Sequence, residues 1–202
     1  GLSGSKIDRH NDLVDDAVKD NEILKNRFNM QFTEGKYKMD MVLTYTSNYS
    51  STIVPYVNTG LTDSGPHITQ LKTLITREFN KFFRDKKWLK DKDENLTGDD
   101  IQEGMYIVFN MTAPNVAYDA QVKSTVTKID MTPFTQTLAD TLSVWFNNNE
   151  KEVKNIFDKA KDNLDLMNAK RDRFQNKMDE ARAKAYNLTH PGEALKDRAK
   201  AA

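Results

Sequence analysis

The sequence predicts an α+β fold, and three observations carry the prediction. Segments 37–45 and 105–111 alternate apolar and polar residues with a period of two. Segment 68–82 places apolar residues every three or four positions, and a heptad stripe runs from 153 to 185. A period of two marks a strand with one buried face, whereas the other spacings mark an amphipathic helix and a helix that seeks a partner along its length.

In chain order, residues 6–30 are charged, with Leu13, Ala17, Ile23, Leu24 and Phe28 at loosely helical spacing, which predicts a helix packing on something else. Tyr37, Met39, Met41, Leu43 and Tyr45 then alternate with Lys38, Asp40, Val42 and Thr44, a strand with one face buried. Residues 46–51 are a polar turn and 53–57 a second strand, so the pair reads as a hairpin. Pro55 has no N–H to give a ladder, which places that strand at an edge or a bulge. After a loop over 58–66, Ile68, Leu71, Ile75, Phe79 and Phe82 form a helical stripe, with Lys72, Thr76, Lys81 and Arg84 off it. Residues 86–95 read as a charged surface excursion around Trp88 and Leu89, and Gly98-Asp99-Asp100 as a turn. Met105, Ile107, Phe109 and Met111 give a third strand, ending near Pro114 in a polar loop over 115–122. Phe134, Leu138, Leu142 and Trp145 are spaced for another helix.

The last pattern is the clearest. Val153, Phe157, Ala160, Leu164, Met167, Arg171, Phe174, Met178, Ala181 and Ala185 alternate spacings of four and three. They predict a helix of about 35 residues, roughly 50 Å long. Arg171 within the stripe asks for a polar layer or a facing acid. His190-Pro191-Gly192 stops the helix. The expected division is an N-terminal helical or linker segment over 1–36, an α+β domain over 37–149, the long helix over 150–188 and a frayed basic tail over 189–202. The opening Gly1-Leu2-Ser3-Gly4-Ser5 has no initiator Met and reads as a cut end, so the chain is expected to be a fragment.

Composition excludes several chemistries. Lys+Arg and Asp+Glu are both 30 in 202 residues, so there is no global basic footprint and any nucleic-acid contact must come from a local patch. The absence of cysteine removes disulfides, thiolate metal sites and cysteine nucleophiles, and suits a reducing compartment, cytoplasmic or nuclear. His10, His67 and His190 lie far apart without metal-ligand spacing. No apolar run approaches the roughly 20 residues of a membrane span, so neither a membrane partner nor a signal peptide is expected. No GxGxxG or GxxxxGK[ST] phosphate cradle occurs. Asp99, Asp100 and Glu103 are a tight acidic group that would suit a hard cation, but they read better as a capped helical first turn. His67, following Gly-Pro at a helix start, reads as structural.

Three motifs carry a resemblance. Asn58…Ser64-Gly65-Pro66-His67 before the helix over 68–82 is similar to the N-N-I…G-G-T-H element that opens the main transducer helix of gyrase B and its relatives. Thr97-Gly98-Asp99-Asp100 with Glu103-Gly104 resembles the T-G-D-D-x-x-E-G stretch of the same domain, and Gln121-Val122-Lys123 its Q-T-K loop. Their order and gaps also agree, over about 37–165. The chain departs from the pattern in Pro66 for Thr, in one loop residue fewer before it, and in Val122 for Thr.

The resemblance implies the transducer region of a type IIA DNA topoisomerase ATPase subunit (gyrase, topoisomerase IV or viral), with a ribosomal protein S5 domain 2-like fold and a long C-terminal helix. It implies that Lys123 and Gln121 contact the γ-phosphate of ATP bound, with Mg²⁺, mainly by an adjacent GHKL ATPase domain. The implied partners are double-stranded DNA, the neighbouring ATPase and cleavage domains or subunits, and a second copy in a homodimeric clamp. It also implies that the 68–87 helix lines the DNA cavity, with Lys72, Arg77, Lys81 and Arg84 toward the phosphates; a plain solvated face is the equal alternative for these residues. On residue chemistry alone, Lys123 is a flexible cation among small and polar neighbours, suited to neutralising a terminal phosphate. The plain alternative is a solvated loop lysine. The E-x-x-x-N magnesium motif, the glycine-rich lid, E-G-D-S-A and a strand-cleaving tyrosine are all missing, so this chain by itself is expected neither to hydrolyse ATP nor to cut DNA. A reading from a different class makes the heptad helix the working part of an interaction or scaffold module, self-associating until Met167→Glu disrupts it. A third keeps the fold in a mismatch-repair or chaperone ATPase, against which the TGDD…EG stretch argues.

Overall fold

A computed structural model describes residues 6–192, in two compact units, Gly1–Lys161 and Asp162–Ala202. The expected cut end over 1–5 and the part of the expected frayed tail beyond 192 lie outside the described residues.

The first unit is organised by a five-stranded sheet. Its strands are β1 (Phe28–Glu34), β2 (Tyr37–Tyr45), β3 (Thr52–Val57), β4 (Gly60–Leu61) and β5 (Met105–Thr112), in the order β1-β2-β5-β3-β4. Two expectations are corrected here. β1 occupies a stretch read as helical or linker, although Phe28 and Met30 are buried and Asn29 and Gln31 exposed, a period of two. The predicted hairpin between 37–45 and 53–57 does not form, because β5 lies between them, antiparallel to β2 and parallel to β3. Burial explains the order. Ile107, Val108, Phe109, Asn110 and Met111 are buried on both faces, which suits β5 to the interior of the sheet. Pro55 lies on β3, which meets β4 only at Tyr56 and Val57, so its missing N–H costs no ladder bond on that side.

The sheet is covered on both faces. Helix α1 (Lys6–Val18) packs Val14 and Val18 onto Val42 and Val108, so β2 is buried on two faces rather than the single one its alternation predicts. The opposite face carries Met39, Met41, Leu43 and Tyr45, and helices α2 (Pro66–Asp85) and α4 (Thr132–Asn148) cover it. The first turns of α5 (Glu150–Thr189) bury Val153, Ile156, Phe157 and Ala160. Phe79, Phe82, Phe83, Phe146 and Phe157 meet at centroid distances of 4.7–5.8 Å, within the range of favourable aromatic pairs.

The 86–95 segment is more than a surface excursion. Leu89 is buried, and Trp88 packs on Phe82, Phe83 and Phe157. The Arg84 guanidinium closes the segment, donating to Asn95 Oδ1 (2.7 Å), Lys90 O (3.1 Å) and Asp93 O (2.9 Å). The turn predicted at 98–100 is a short helix, α3 (Gly98–Gln102), whose N-cap Thr97 accepts from Asp100 N. The polar loop after β5 contains β6 (Ala117–Tyr118), paired with β7 (Val126–Lys128).

The second unit is helical through Thr189, and residues 171–190 are all exposed. Among the described residues no helix is long and apolar enough to cross a membrane.

Candidate functional site

The candidate site is built from two loops, 58–67 and 119–126. The first begins in the two-residue turn between β3 and β4, where Asn58 (φ 48°) and Thr59 (φ 69°) both take left-handed angles. That combination matches the right-handed twist of the flanking strands, and Asn accepts it readily. The Asn58 amide pairs with Ala113 as a peptide would: Oδ1 accepts from Ala113 N (3.0 Å) and Nδ2 donates to Ala113 O (3.2 Å). Asn110 Oδ1 accepts from Thr59 N (3.0 Å), so the turn is tied to the end of β5.

Gly65 caps α2 at φ 149°, and a Cβ there would stand 2.7 Å from the His67 ring and 2.8 Å from Val126 O. Only glycine fits. Pro66 follows at the first turn, where no N–H is needed. His67 is fully buried, with Nε2 2.8 Å from Thr62 Oγ1. Thr62 already donates its hydroxyl proton to Pro55 O (2.7 Å), so Nε2 carries the proton and donates to Thr62. Nδ1 is then a bare, buried lone pair without a partner. Burial lowers the His67 pKa to about 4, so the ring is neutral at pH 7 and structural in role.

The second loop carries Gln121 and Lys123. It is folded rather than extended: Asp119 Oδ1 accepts from Gln121 N (2.9 Å) and Val122 N (2.8 Å), and Thr125 N donates to Val122 O (3.0 Å). These backbone N–H groups hold the Asp119 carboxyl below its ordinary value. Gln121, Val122 and Lys123 are exposed, and among the described residues neither the Gln121 nor the Lys123 side chain makes a hydrogen bond or ion pair. The loop is stapled to the head of α2. Asp63 N donates to Ser124 O (3.0 Å) and Val126 N to Ser64 O (3.0 Å), while Ser124 Oγ donates to Asp63 Oδ2 (2.6 Å). Ser64 Oγ and Thr125 Oγ1 add a fourth link at 3.1 Å. Ser64 lies in the Asn58…His67 motif, whereas Asp63, Asp119, Ser124 and Thr125 had no periodic or motif signal to mark them in the sequence.

The basic residues of α2 are separated by the structure. At 100° per residue Arg77, Lys81 and Arg84 share a face, and Lys72 lies about 140° round the helix from Arg77. Arg77 and Lys81 are exposed and line a groove with Thr135, Gln136, Asp140 and Ser143 of α4. Arg77 also sits 3.5 Å from Glu78, and Arg84 is engaged with the 90–95 loop. Asp99 and Asp100 lie in the first turn of α3. Among the described residues no group of three or more acids and histidines is arranged to hold a metal.

Residues 10–176 match the family model described as DNA gyrase B. The gyrase B protein of Mycolicibacterium smegmatis is 31% identical over 126 residues, 61% of this chain and 19% of that protein. The gyrase B protein of Mycobacterium tuberculosis is 30% identical over 126 residues, with the same coverage. The chain therefore spans 19% of the length of these relatives. Among solved structures, the 43K ATPase domain of Thermus thermophilus gyrase B, in complex with an aminocoumarin, superposes with a TM-score of 0.70 at 21% identity, covering 81% of this chain and 45% of that one. The topoisomerase IV ATP-binding domain of Francisella tularensis gives 0.56 at 24% identity, over 67% and 38%. At these identities the superpositions speak for the fold, a mixed α/β unit with a long C-terminal helix.

Proposed function

The chain belongs to the DNA gyrase B family, and from that premise we propose that it is the transducer region of an ATP-dependent type II DNA topoisomerase, with a ribosomal protein S5 domain 2-like fold. Its task is to convert ATP binding in an adjacent GHKL domain into closure of a homodimeric clamp on double-stranded DNA.

One observation carries the reading: the Gln121–Lys123 loop is stapled to the head of α2. Lys123 supplies a point charge and Gln121 an amide donor, both exposed and uncommitted, which fits a terminal phosphate in a neighbouring domain. ATP and its Mg²⁺ would be held mainly by that domain, and this chain would add charge neutralisation at the γ-phosphate. Pulling Lys123 toward a phosphate draws on Ser124 and Thr125, and through them on Asp63, Ser64 and Gly65. Gly65 opens α2, a helix of 20 residues packed on the sheet and on α4, so a loop displacement becomes a helix displacement. On α2, Arg77 and Lys81 are the exposed pair that suits sequence-independent phosphate contact, whereas Arg84 serves the 90–95 loop and Lys72 faces elsewhere.

The test is Lys123→Ala in the full-length protein. DNA-dependent ATP turnover and strand passage are expected to fall at least roughly ten-fold, the scale for losing a charge aimed at a reacting phosphate. Unchanged rates with normal folding would remove the sensing role.

A further inference from the structure

Beyond residue 161 the chain forms its second unit. In heptad terms Leu164, Arg171, Met178 and Ala185 fall at a, and Met167, Phe174 and Ala181 at d. Leu164 is buried, but Met167, Phe174 and Met178 are 61%, 65% and 39% exposed. An exposed apolar a/d row has the pattern of a coiled-coil seam.

The edges of the seam say which strand it takes. The g positions are Asn163, Lys170, Lys177 and Lys184, and the e positions Asn168, Gln175 and Arg182, so neither edge carries an acid. A parallel second copy would set Lys177 of one helix against Arg182 of the other and stack two Arg171 side chains in the seam. An antiparallel copy would lay one lysine row along the other. Like charges at these positions oppose both arrangements. Asp165, Asp172 and Asp179 recur at b, outside the e edge, where Asp179 Oδ1 accepts from Gln175 Nε2 (3.0 Å) and lies 4.0 Å from the Arg182 guanidinium. Those aspartates also make the face a poor fit to an anionic membrane.

We propose that residues 164–185 are the docking face for an acidic amphipathic helix of a partner polypeptide. Its apolar residues would fill the seam beside Met167, Phe174 and Met178. Its carboxylates would run along the row of Lys170, Lys177 and Lys184, with one facing Arg171.

Two synthetic helices of about four heptads test this, both with Leu at a and d, one with Glu and the other with Lys at e and g. Titrated into the chain by calorimetry, the Glu helix is expected to bind about ten-fold or more tightly than the Lys helix. The triple variant Lys170→Glu, Lys177→Glu, Lys184→Glu reverses that order, an outcome that requires a folded face. Phe174→Asp removes binding of both. Equal affinity for the two helices would overturn the proposal. So would self-association in sedimentation that Phe174→Asp abolishes, since a second copy would then be the occupant. Binding to phosphatidylserine vesicles in preference to the Glu helix would also overturn it.

Discussion

His67 makes the stability of the first unit depend on pH in a window where few other groups titrate. Its ring is buried, donates from Nε2 to Thr62, and has no acceptor near Nδ1. Protonation would therefore place a charged N–H in the core with nothing to receive it. The pKa falls from 6.5 to about 4 on folding. The unfolded chain then binds a proton between these values while the folded chain does not, so stability drops as the pH falls through that range. Above about pH 6.5 the stabilisation is complete; at about pH 5, at 1.4 kcal/mol per pH unit, roughly 2 kcal/mol has been lost. His67→Gln keeps a donor for Thr62 and removes the titration. The assay is urea unfolding of both proteins at about pH 7.5 and about pH 5, analysed by linear extrapolation. The wild type is expected to lose about 2 kcal/mol more than the variant across that interval. His10, whose pKa is also lowered chiefly by burial, gives a slope of the same sign in both proteins and cancels in the difference. Equal losses in the two proteins would refute the buried, neutral assignment of His67.

Other substitutions probe the scaffold around the site. Gly65→Ala forces a Cβ against the His67 ring and Val126 O at a backbone angle that disfavours side chains, and is expected to cost about 2–4 kcal/mol in thermal unfolding. Phe83→Ala removes a fully buried ring packed on Phe79, Trp88 and Phe157, and about 3–5 kcal/mol should be lost, with the Trp88 fluorescence shifted toward that of exposed indole. Arg84→Ala leaves the carbonyls of Lys90 and Asp93 without their donor. Limited proteolysis should then cut the 86–95 segment well before the sheet unfolds, at an overall cost of about 1–3 kcal/mol.

Local pattern made much of the fold legible. The alternation in 37–45 and 105–111 and the stripes in 68–82, 134–145 and 153–185 correspond to β2, β5, α2, α4 and α5, because side-chain period is a property of the backbone itself. β1 shows the limit of that signal. Phe28, Met30 and Phe32 alternate, but only over seven residues that follow a helix, too short a run for one period to prevail. Leu89 and Trp88 sit among lysines and aspartates, so only the packed unit reveals Leu89 as core and Trp88 as half-buried against Phe82, Phe83 and Phe157.

The residues Gln121 and Lys123, the glycine at 65 and the basic face of α2 could all be named from sequence, since motif order and residue chemistry are written along the chain. What they are attached to could not. That β5 separates β2 from β3, that α1 closes the second face of the sheet, and that Ser124 meets Asp63 from 61 positions away depend on which surfaces find each other in space. Hydrogen-bonding capacity is carried by each residue, whereas the choice of partner is made by the packing of the whole unit. Residue order was enough to specify the parts of the Gln121–Lys123 loop and a helix behind it; their joining came only from the packed unit, which brings Asp63 and Ser64 within bonding distance of Ser124 and Thr125.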